Sequence, residues 1–310
     1  SYSKLYDIMS LKKEYKNMKL QLTLNSLALI LCCGDLIPSS TQPISTQEWQ
    51  EIEKKLKSAH KEPSMITGMS IDTLTQIIGL DEFTAHKIEK RQKLLPDLFY
   101  ALQNLENQDI GVTTIYEEDY PASLRVLGTK MPLVISYIGD LSLSYGVNIS
   151  VAGPQMMNKT MRHVTKEIMK KISKEGYTLV VGGSKGVEEL ALRTQLTNNG
   201  NAVLFVADHM FDKIRLYSKY IKQNKLVIMT ANDPYALFDV THALDKNLYI
   251  CGMVFAQIVT GTHIGSGPVC LLLFRISILI GQDSLFMKHW IIVVILDLLK
   301  WEKPISLMKI

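Results

Sequence analysis

Cysteine, net charge and long apolar runs are all scarce in this chain of 310 residues. The four cysteines form no pair of CxxC motifs and no zinc-type spacing with histidine, which argues against a structural metal and a disulfide framework. We therefore expect no metal, no cofactor and a cytoplasmic location. Because the formal net charge is only +4, an anionic partner must be bound by a local cluster of cations.

Two apolar segments resemble targeting or membrane signals without completing the pattern. Residues 18–34, "MKLQLTLNSLALILCCG", are interrupted by Gln21, Asn25 and Ser26 and show no small-residue cleavage site, so they predict a buried helix, with a signal peptide as the alternative. Near the C-terminus, "LLLFRISILI" and "WIIVVILDLL" are each only about ten residues long, too short for a membrane-spanning helix. We expect no membrane insertion.

Changes in composition and hydrophobic periodicity along the chain predict four segments. Residues 1–17 are polar and lysine-rich and are interpreted as an extension. Residues 18–110 carry helical periodicity and predict a small helical domain. Residues 111–267 predict an α/β domain, and residues 268–310 form an apolar tail without the expected alternation of strands and helices. We interpret this tail as the product of a shifted reading frame or of a pseudogene-like ending.

The helical segment contains the stretch "IIGLDEFTAHKIEK", at 77–90, in which a glycine separates two helical patterns. This spacing is compatible with a helix-hairpin-helix or SAM-like arrangement, in which backbone amides at a helix start bind a DNA phosphate. The alternative is a turn that joins two packed helices without touching DNA.

Six short β-rich runs appear after residue 110, and helical segments ending at Gly176 and Gly200 alternate with them. This alternation predicts an α/β fold, a Rossmann-like parallel sheet with helices on both faces. Ligands of such sheets bind at the carboxyl ends of the strands. The runs are GVTTIY, LVISYIG, NISVAG, YTLVVGG, NAVLFVA and LVIMTA.

The stretch "VVGGSKGVEE", at 180–189, joins one of these strands to a helix. Glycines at 182, 183 and 186 allow close approach of the backbone to an anion, the helix start offers unpaired amides, and Lys185 adds a charge. Neither GxxxxGK[ST] nor a complete GxGxxG is present. The loop therefore favours a phosphate of unspecified kind, and the alternative is that its glycines only turn the strand into the helix.

The order of several motifs resembles the DprA/Smf family of DNA-processing proteins over roughly residues 27–267. "YPASL" at 120–124 is similar to the YP-x-x-L segment of that family, and "ISVAGPQ" stands where the family has its VGSR turn. "LVVGGSKGVEELALR" resembles SGGARG-[IV]-D-x-x-A-x-R, and "FDVTHALDKNLYICGM" resembles the segment around R-N-R.

The resemblance implies a protein that binds single-stranded DNA and has no established catalytic chemistry. Family members protect incoming DNA and help load the RecA recombinase during natural transformation, and they commonly self-associate. On this basis the amides of the glycine turns would hold phosphates, side-chain cations would supply charge, and Asn247 would donate further hydrogen bonds. The DNA-binding residues expected here are Gly153, Lys159, Gly182, Gly183, Ser184, Lys185, Gly186, Arg193, Lys246 and Asn247.

The chain departs from the family pattern at positions that would contact DNA. Pro154 and Gln155 replace the serine and arginine of VGSR, and Leu248 replaces the last arginine of R-N-R. Lys185 replaces an arginine and keeps the charge without the bidentate fork, and Glu188 replaces an aspartate. Each lost phosphate contact weakens binding and flattens its salt dependence, so a decayed homologue that binds nothing tightly is one alternative.

A second alternative is an enzyme on the same fold, a nucleotide-binding phosphoribohydrolase resembling the LOG family. The motif PGGxGTxxE of that family supplies a catalytic glutamate. Gly261 and Thr262 match part of it, but no proline precedes them and no glutamate follows.

Basic residues also recur along one helical segment, at Lys159, Arg162, Lys166 and Lys170. Their three- and four-residue spacing places them on one helix face. This face is interpreted either as a stripe that follows DNA or as an ordinary solvated surface.

Overall fold

The computed structural model describes residues 20–260 and the two-residue strand at 295–296. The expected extension at 1–17 lies outside the described residues, as does the apolar tail apart from that strand. The described helices are α1 Leu24–Cys33, α2 Thr46–Ser58, α3 Glu82–Gln92, α4 Leu95–Glu106, α5 Lys159–Lys174, α6 Val187–Thr197, α7 Met210–Lys222 and α8 Val240–Met253. The described strands are β1 Gly111–Thr114, β2 Val134–Ile138, β3 Asn148–Ala152, β4 Thr178–Val181, β5 Ala202–Phe205, β6 Leu226–Thr230, β7 Ala256–Thr260 and β8 Ile295–Leu296.

The first helix confirms the prediction of a buried helix within residues 18–34. It begins after Thr23, whose hydroxyl accepts a hydrogen bond from the Ser26 amide, and residues 26–32 are all buried. The second helix begins with a capping box between Ser45 and Glu48, which satisfies amide donors at the helix start. No described helix combines the length and the apolar character needed to cross a bilayer.

The glycine turn at 77–90 joins packed elements. Gly79 has a φ of +76°, and its carbonyl accepts a hydrogen bond of 2.6 Å from Lys55 Nζ. At the start of α3, the Asp81 carboxylate accepts hydrogen bonds from the Thr84 amide at 2.8 Å and from the Thr84 hydroxyl at 2.7 Å. A carboxylate therefore stands where the hairpin interpretation places a phosphate, and the geometry favours the packing interpretation.

The described strands form one sheet in the order β1-β2-β6-β5-β4-β3-β7-β8. The predicted α/β Rossmann-like fold with helices on both faces is thus confirmed. The prediction that all strands are parallel is wrong for one strand. Strand β2 runs antiparallel to both β1 and β6, whereas the remaining pairs are parallel. The chain between β1 and β3 contains only short 3₁₀ segments, not the α-helical crossovers that join parallel neighbours elsewhere in the sheet.

The pleat of the strands divides the core between the two faces of the sheet. On β4, Leu179 and Val181 pack with residues of α5, α6 and α7, while Val180 between them faces the opposite side. That opposite side holds α8 and shares one continuous apolar core with the helical region. The sheet therefore carries α8 and the helical region on one face, and the carboxyl ends of its parallel strands lie at one edge.

Candidate functional site

A cavity of about 510 Å³ lies where the carboxyl ends of the parallel strands meet α8. We call it the strand-end cavity. Its walls come mainly from the segments that follow β3, β4 and β5 and from one side of α8. Its volume lies within the range of about 300–1,000 Å³ that is typical of small-molecule and cofactor sites.

The loops after β3 and β4 are held together by close backbone contact. Gly186 has a φ of +92°, and a Cβ atom at this position would lie 2.5 Å from the Pro154 oxygen and from the Gln155 backbone. The Val187 amide donates a hydrogen bond of 3.3 Å to the Pro154 oxygen. Only glycine fits at position 186, because both the left-handed φ and the lack of space exclude a side chain. The backbones of the two loops are therefore held in a fixed position relative to each other.

The glycine loop after β4 is stabilised by a carboxylate from its own helix. Oε2 of Glu188 accepts hydrogen bonds from the backbone amides of Gly182 at 3.1 Å and Ser184 at 3.2 Å. Two of the amides expected to bind phosphate therefore already have an anionic acceptor within the chain. An added anion must rely on the cations around the cavity, or must displace this carboxylate.

Three lysines supply positive charge to the cavity lining, opposed by the carboxylates of Glu188 and Asp208. Lys246 extends from α8 across the glycine loop, since a Cβ atom at Gly182 would lie 2.6 Å from its Nζ atom. Lys213 reaches the loop from α7, and Lys185 is exposed at the outer edge. The lining therefore carries an excess of one positive charge although the chain as a whole is nearly neutral.

The start of α8 is fixed by Asp239, whose carboxylate accepts a hydrogen bond of 3.1 Å from the His242 amide. This hydrogen bond lowers the pKa of Asp239, so the cap stays ionised at neutral pH. Burial raises the pKa of Asp245, which precedes Lys246. His242 lies in the first turn of this helix, and its backbone amide is the group that Asp239 caps.

The structure brings seven of the ten expected DNA-binding residues into the lining of this cavity. Three lie outside it. Arg193 is exposed and forms an ion pair of 2.7 Å with Glu189, and Lys159 is the exposed first residue of α5. Gly186 acts indirectly by joining the two loops. Those in the lining are Gly153, Gly182, Gly183, Ser184, Lys185, Lys246 and Asn247.

Leu248, the basic face of α5 and the motif similar to that of the phosphoribohydrolases are not among the described residues that line the cavity. Leu248 is buried in the apolar core, so this leucine does not face the cavity. The α5 cations Arg162, Lys166 and Lys170 are exposed, and none of them lines the cavity. The partial match to the phosphoribohydrolase motif, at Gly261 and Thr262, lies outside the described residues.

Sequence reasoning missed several residues of the lining. Ser150 and Gln257 are each 2% exposed and are paired across β3 and β7. Lys213 lies on α7, a helix that was not singled out, and Phe238 is an aromatic residue that remains 66% exposed while lining the cavity. One signal was available, because Ser150 and Gln257 are polar residues within buried strands, although Asn148 and Thr260 share that property.

The sequence model of a family described as DNA recombination-mediator protein A matches residues 111–274, slightly more than half of the chain. The match begins at β1, and so leaves out the helical region.

Among solved structures, DNA processing protein A (DprA) from Streptococcus pneumoniae is 16% identical, with a TM-score of 0.63, and the alignment covers 83% of this chain and 84% of that chain. DNA processing protein A from Helicobacter pylori, whose structure describes its single-stranded DNA binding mode, is 16% identical. Its TM-score is 0.45, and the alignment covers 53% of this chain and 77% of that chain. No curated protein sequence shows significant similarity to the chain.

Proposed function

Because the chain belongs to the DNA recombination-mediator protein A family, we propose that it binds single-stranded DNA at the strand-end cavity. In this role it protects incoming DNA in the cytoplasm and assists a RecA-type recombinase during natural transformation. The family assignment supports DNA processing as the general function, and the geometry of the cavity supports the mode of binding. Proteins that bind single strands without sequence preference combine a cationic groove with surfaces on which bases stack.

The observation that carries the proposal is the convergence of Lys185, Lys213 and Lys246 on one glycine loop. These lysines come from three different segments of the chain, yet they meet at the edge of the sheet where α/β folds bind ligands. Lysine ammonium groups contact phosphates as point charges, which suits a flexible backbone of variable geometry. The exposed aromatic ring of Phe238 lies beside them and offers a stacking surface.

The proposal is tested by fluorescence anisotropy of a labelled single-stranded oligonucleotide at several salt concentrations. We expect salt-sensitive binding and weak competition by duplex DNA. Lys185→Ala lowers affinity nearly equally for different sequences and reduces the salt slope by about one unit or less, because one phosphate contact is lost. Lys57→Ala removes the same charge from an exposed position on α2 and serves as the control. Absence of binding by the folded protein would refute the proposal and favour a decayed homologue.

The protective role predicts that the protein does not cut the strand. We expect the bound oligonucleotide to be recovered at full length on a denaturing gel and to resist an added single-strand nuclease. The mediator role predicts faster assembly of a RecA-type recombinase on strands first bound by this protein. Self-association, which accompanies that role, is measured by sedimentation with and without DNA. Cleavage of the strand by the protein itself would contradict the proposal of a binding protein.

A further inference from the structure

A second cavity, of about 230 Å³, is lined by residues of both the helical region and the α/β domain. We call it the junction cavity. Its lining comes from the end of α1, the segment that leads into α2, strand β2, the segment after β6 and helix α8. No described residue lines both this cavity and the strand-end cavity. Because its volume lies below the range typical of cofactor sites, the junction cavity suits a ligand smaller than a nucleotide.

One buried hydroxyl in this lining lacks a hydrogen bond. Ser136 on β2 is 1% exposed, and its Oγ atom has no partner among residues 20–260. Other polar side chains of the lining are satisfied by the chain. The Thr46 hydroxyl donates to the Met131 carbonyl at 3.1 Å, and the Asn232 amide donates to the Ala207 carbonyl at 3.0 Å. Since a buried polar group without a partner costs free energy, the Ser136 hydroxyl is left for a bound molecule to satisfy.

Two further polar groups of the lining are uncharged. The ring of Tyr249 packs against Phe205 with the ring centroids 5.5 Å apart, and its hydroxyl forms no hydrogen bond with the described residues. Burial raises the pKa of the Tyr249 hydroxyl and of the Cys33 thiol, so both groups stay protonated at neutral pH. Together with Ser136 they give the cavity neutral polar groups beside apolar side chains such as Leu133.

The one charged residue among the described lining is Asp35, an exposed residue that follows α1. Its carboxylate forms no ion pair within the described part of the chain. Asp233 adds a second carboxylate nearby, because burial raises its pKa and the charge of Asp35 adds to the rise. Arg91 offsets one of these charges, but its guanidinium is buried and donates to three carbonyls. The rim of the junction cavity therefore favours a cation over an anion.

We propose that the junction cavity binds a small amino alcohol. The ammonium group pairs with Asp35 at the exposed rim, the hydroxyl bonds to Ser136 at the buried end, and the alkyl chain contacts the apolar side chains of the lining. An ammonium group offers donors and no acceptor, which matches a carboxylate, whereas a hydroxyl both donates and accepts, as the Ser136 hydroxyl does. This site lies apart from the proposed DNA contacts, so the inference does not rest on the proposed function.

The test compares three probes of equal length by ligand-observed NMR titration of the full chain at neutral pH. Aminobutanol carries an ammonium group at one end and a hydroxyl at the other, butanediol lacks the charge, and hydroxybutyrate carries a negative charge in its place. We expect aminobutanol to bind with a dissociation constant in the millimolar range, as suits so small a ligand. Butanediol should bind about fivefold more weakly, and hydroxybutyrate about tenfold more weakly. Equal or tighter binding of hydroxybutyrate would contradict the role of Asp35.

Two variants separate the two ends of the ligand. Asp35→Asn should weaken aminobutanol about fivefold and leave butanediol unchanged, because only the charge is lost. Ser136→Ala should weaken both compounds about fivefold, because both lose a hydrogen bond. The control for the charge is Asp72→Asn, at an exposed position elsewhere in the helical region. The control for the hydroxyl is Thr165→Val, since Thr165 on α5 is buried, also lacks a partner among residues 20–260 and lines neither cavity.

The outcomes are independent of DNA binding. If none of the three probes binds the folded protein, or if aminobutanol binds both variants as well as the unaltered chain, the proposal is overturned and only water satisfies Ser136. Thermal melting of Ser136→Ala should show no loss of stability, because the hydroxyl that it removes has no partner in the chain. Anisotropy with single-stranded DNA should give the same affinity for Ser136→Ala as for the unaltered chain, so failure here leaves the proposed function standing.

Discussion

The helical region and the strand-end cavity differ in how their buried polar side chains are hydrogen-bonded. In the helical region, Arg91 is 1% exposed, and its guanidinium donates to the carbonyls of Leu31 at 2.6 Å, Gly34 at 2.7 Å and Thr41 at 2.9 Å. In the cavity, the equally buried Gln257 keeps an acceptor without a partner among the described residues. Internal satisfaction marks a structural role, whereas a buried acceptor without a protein partner is left for a water or a ligand to satisfy.

The largest effect expected from this comparison is loss of stability on removing the guanidinium. Arg91→Leu leaves three carbonyls without their donor, one of them at the C-terminal end of α1, so the free energy of unfolding should fall by about 3 kcal/mol or more. Chemical denaturation measures this change. The control is Lys93→Ala, which removes an exposed ion pair with Glu89 and should cost no more than about 0.5 kcal/mol. Equal free energies of unfolding for the two variants would contradict the structural role of the Arg91 guanidinium.

A smaller effect distinguishes cations inside the cavity from cations outside it. Lys213→Ala should weaken binding of single-stranded DNA about fivefold, because the lysine lines the cavity and contacts a phosphate in the proposed complex. Arg193→Ala removes the same charge from an exposed ion pair and should change affinity less than about twofold. Anisotropy titrations at one salt concentration compare the two. A larger loss for Arg193→Ala would place the DNA on a different surface.

Glu188 provides a still smaller and opposite effect. Glu188→Gln retains an acceptor for the amides of Gly182 and Ser184 and removes a negative charge from the cavity, so affinity for the strand should rise about threefold at low salt. The free energy of unfolding should fall by about 1 kcal/mol, because hydrogen bonds to a charged acceptor are replaced by neutral ones. Both quantities are measured on the same variant. A decrease in affinity would indicate that the carboxylate itself positions the bound strand.

The smallest effect is that a buried thiol in the helical region should resist alkylation. Cys32 is fully buried, and this burial raises the pKa of its thiol to about 12. At pH 8 the thiol therefore stays protonated, and iodoacetamide should leave Cys32 unmodified in the folded protein. Peptide mass spectrometry after labelling with and without denaturant measures the reaction at this cysteine alone. Rapid labelling without denaturant would show that the helical region opens more easily than its satisfied polar groups imply.

The fold was more predictable from the sequence than the site, for a physical reason. Strands such as LVISYIG and LVIMTA and the helix at 159–174 carry local periodicity, and the structure contains all of them. The antiparallel direction of β2 depends on which strand lies beside it, and no local pattern records that choice.

The site was predictable where a short continuous stretch of sequence contributes several of its residues. The glycines at 182 and 183, Lys185, and the pair Lys246 and Asn247 were all identified from two stretches of sequence, and they meet in one cavity. The place of Lys213 in the lining depends on how distant segments pack, so this lysine does not stand out in the sequence. Arg193 and Lys159 were expected from motif position alone, and their side chains project elsewhere.

The contact between Gly186 and the Pro154–Gln155 backbone also fixes part of the rim of the strand-end cavity. Among the exposed residues at the mouth, Gln155 and Lys185 belong to the two loops that this contact locks together. The third, Phe238, lies in the segment before α8. Two sides of the aperture are therefore held by backbone contact, so in the proposed complex any widening of the mouth must come from the side of Phe238.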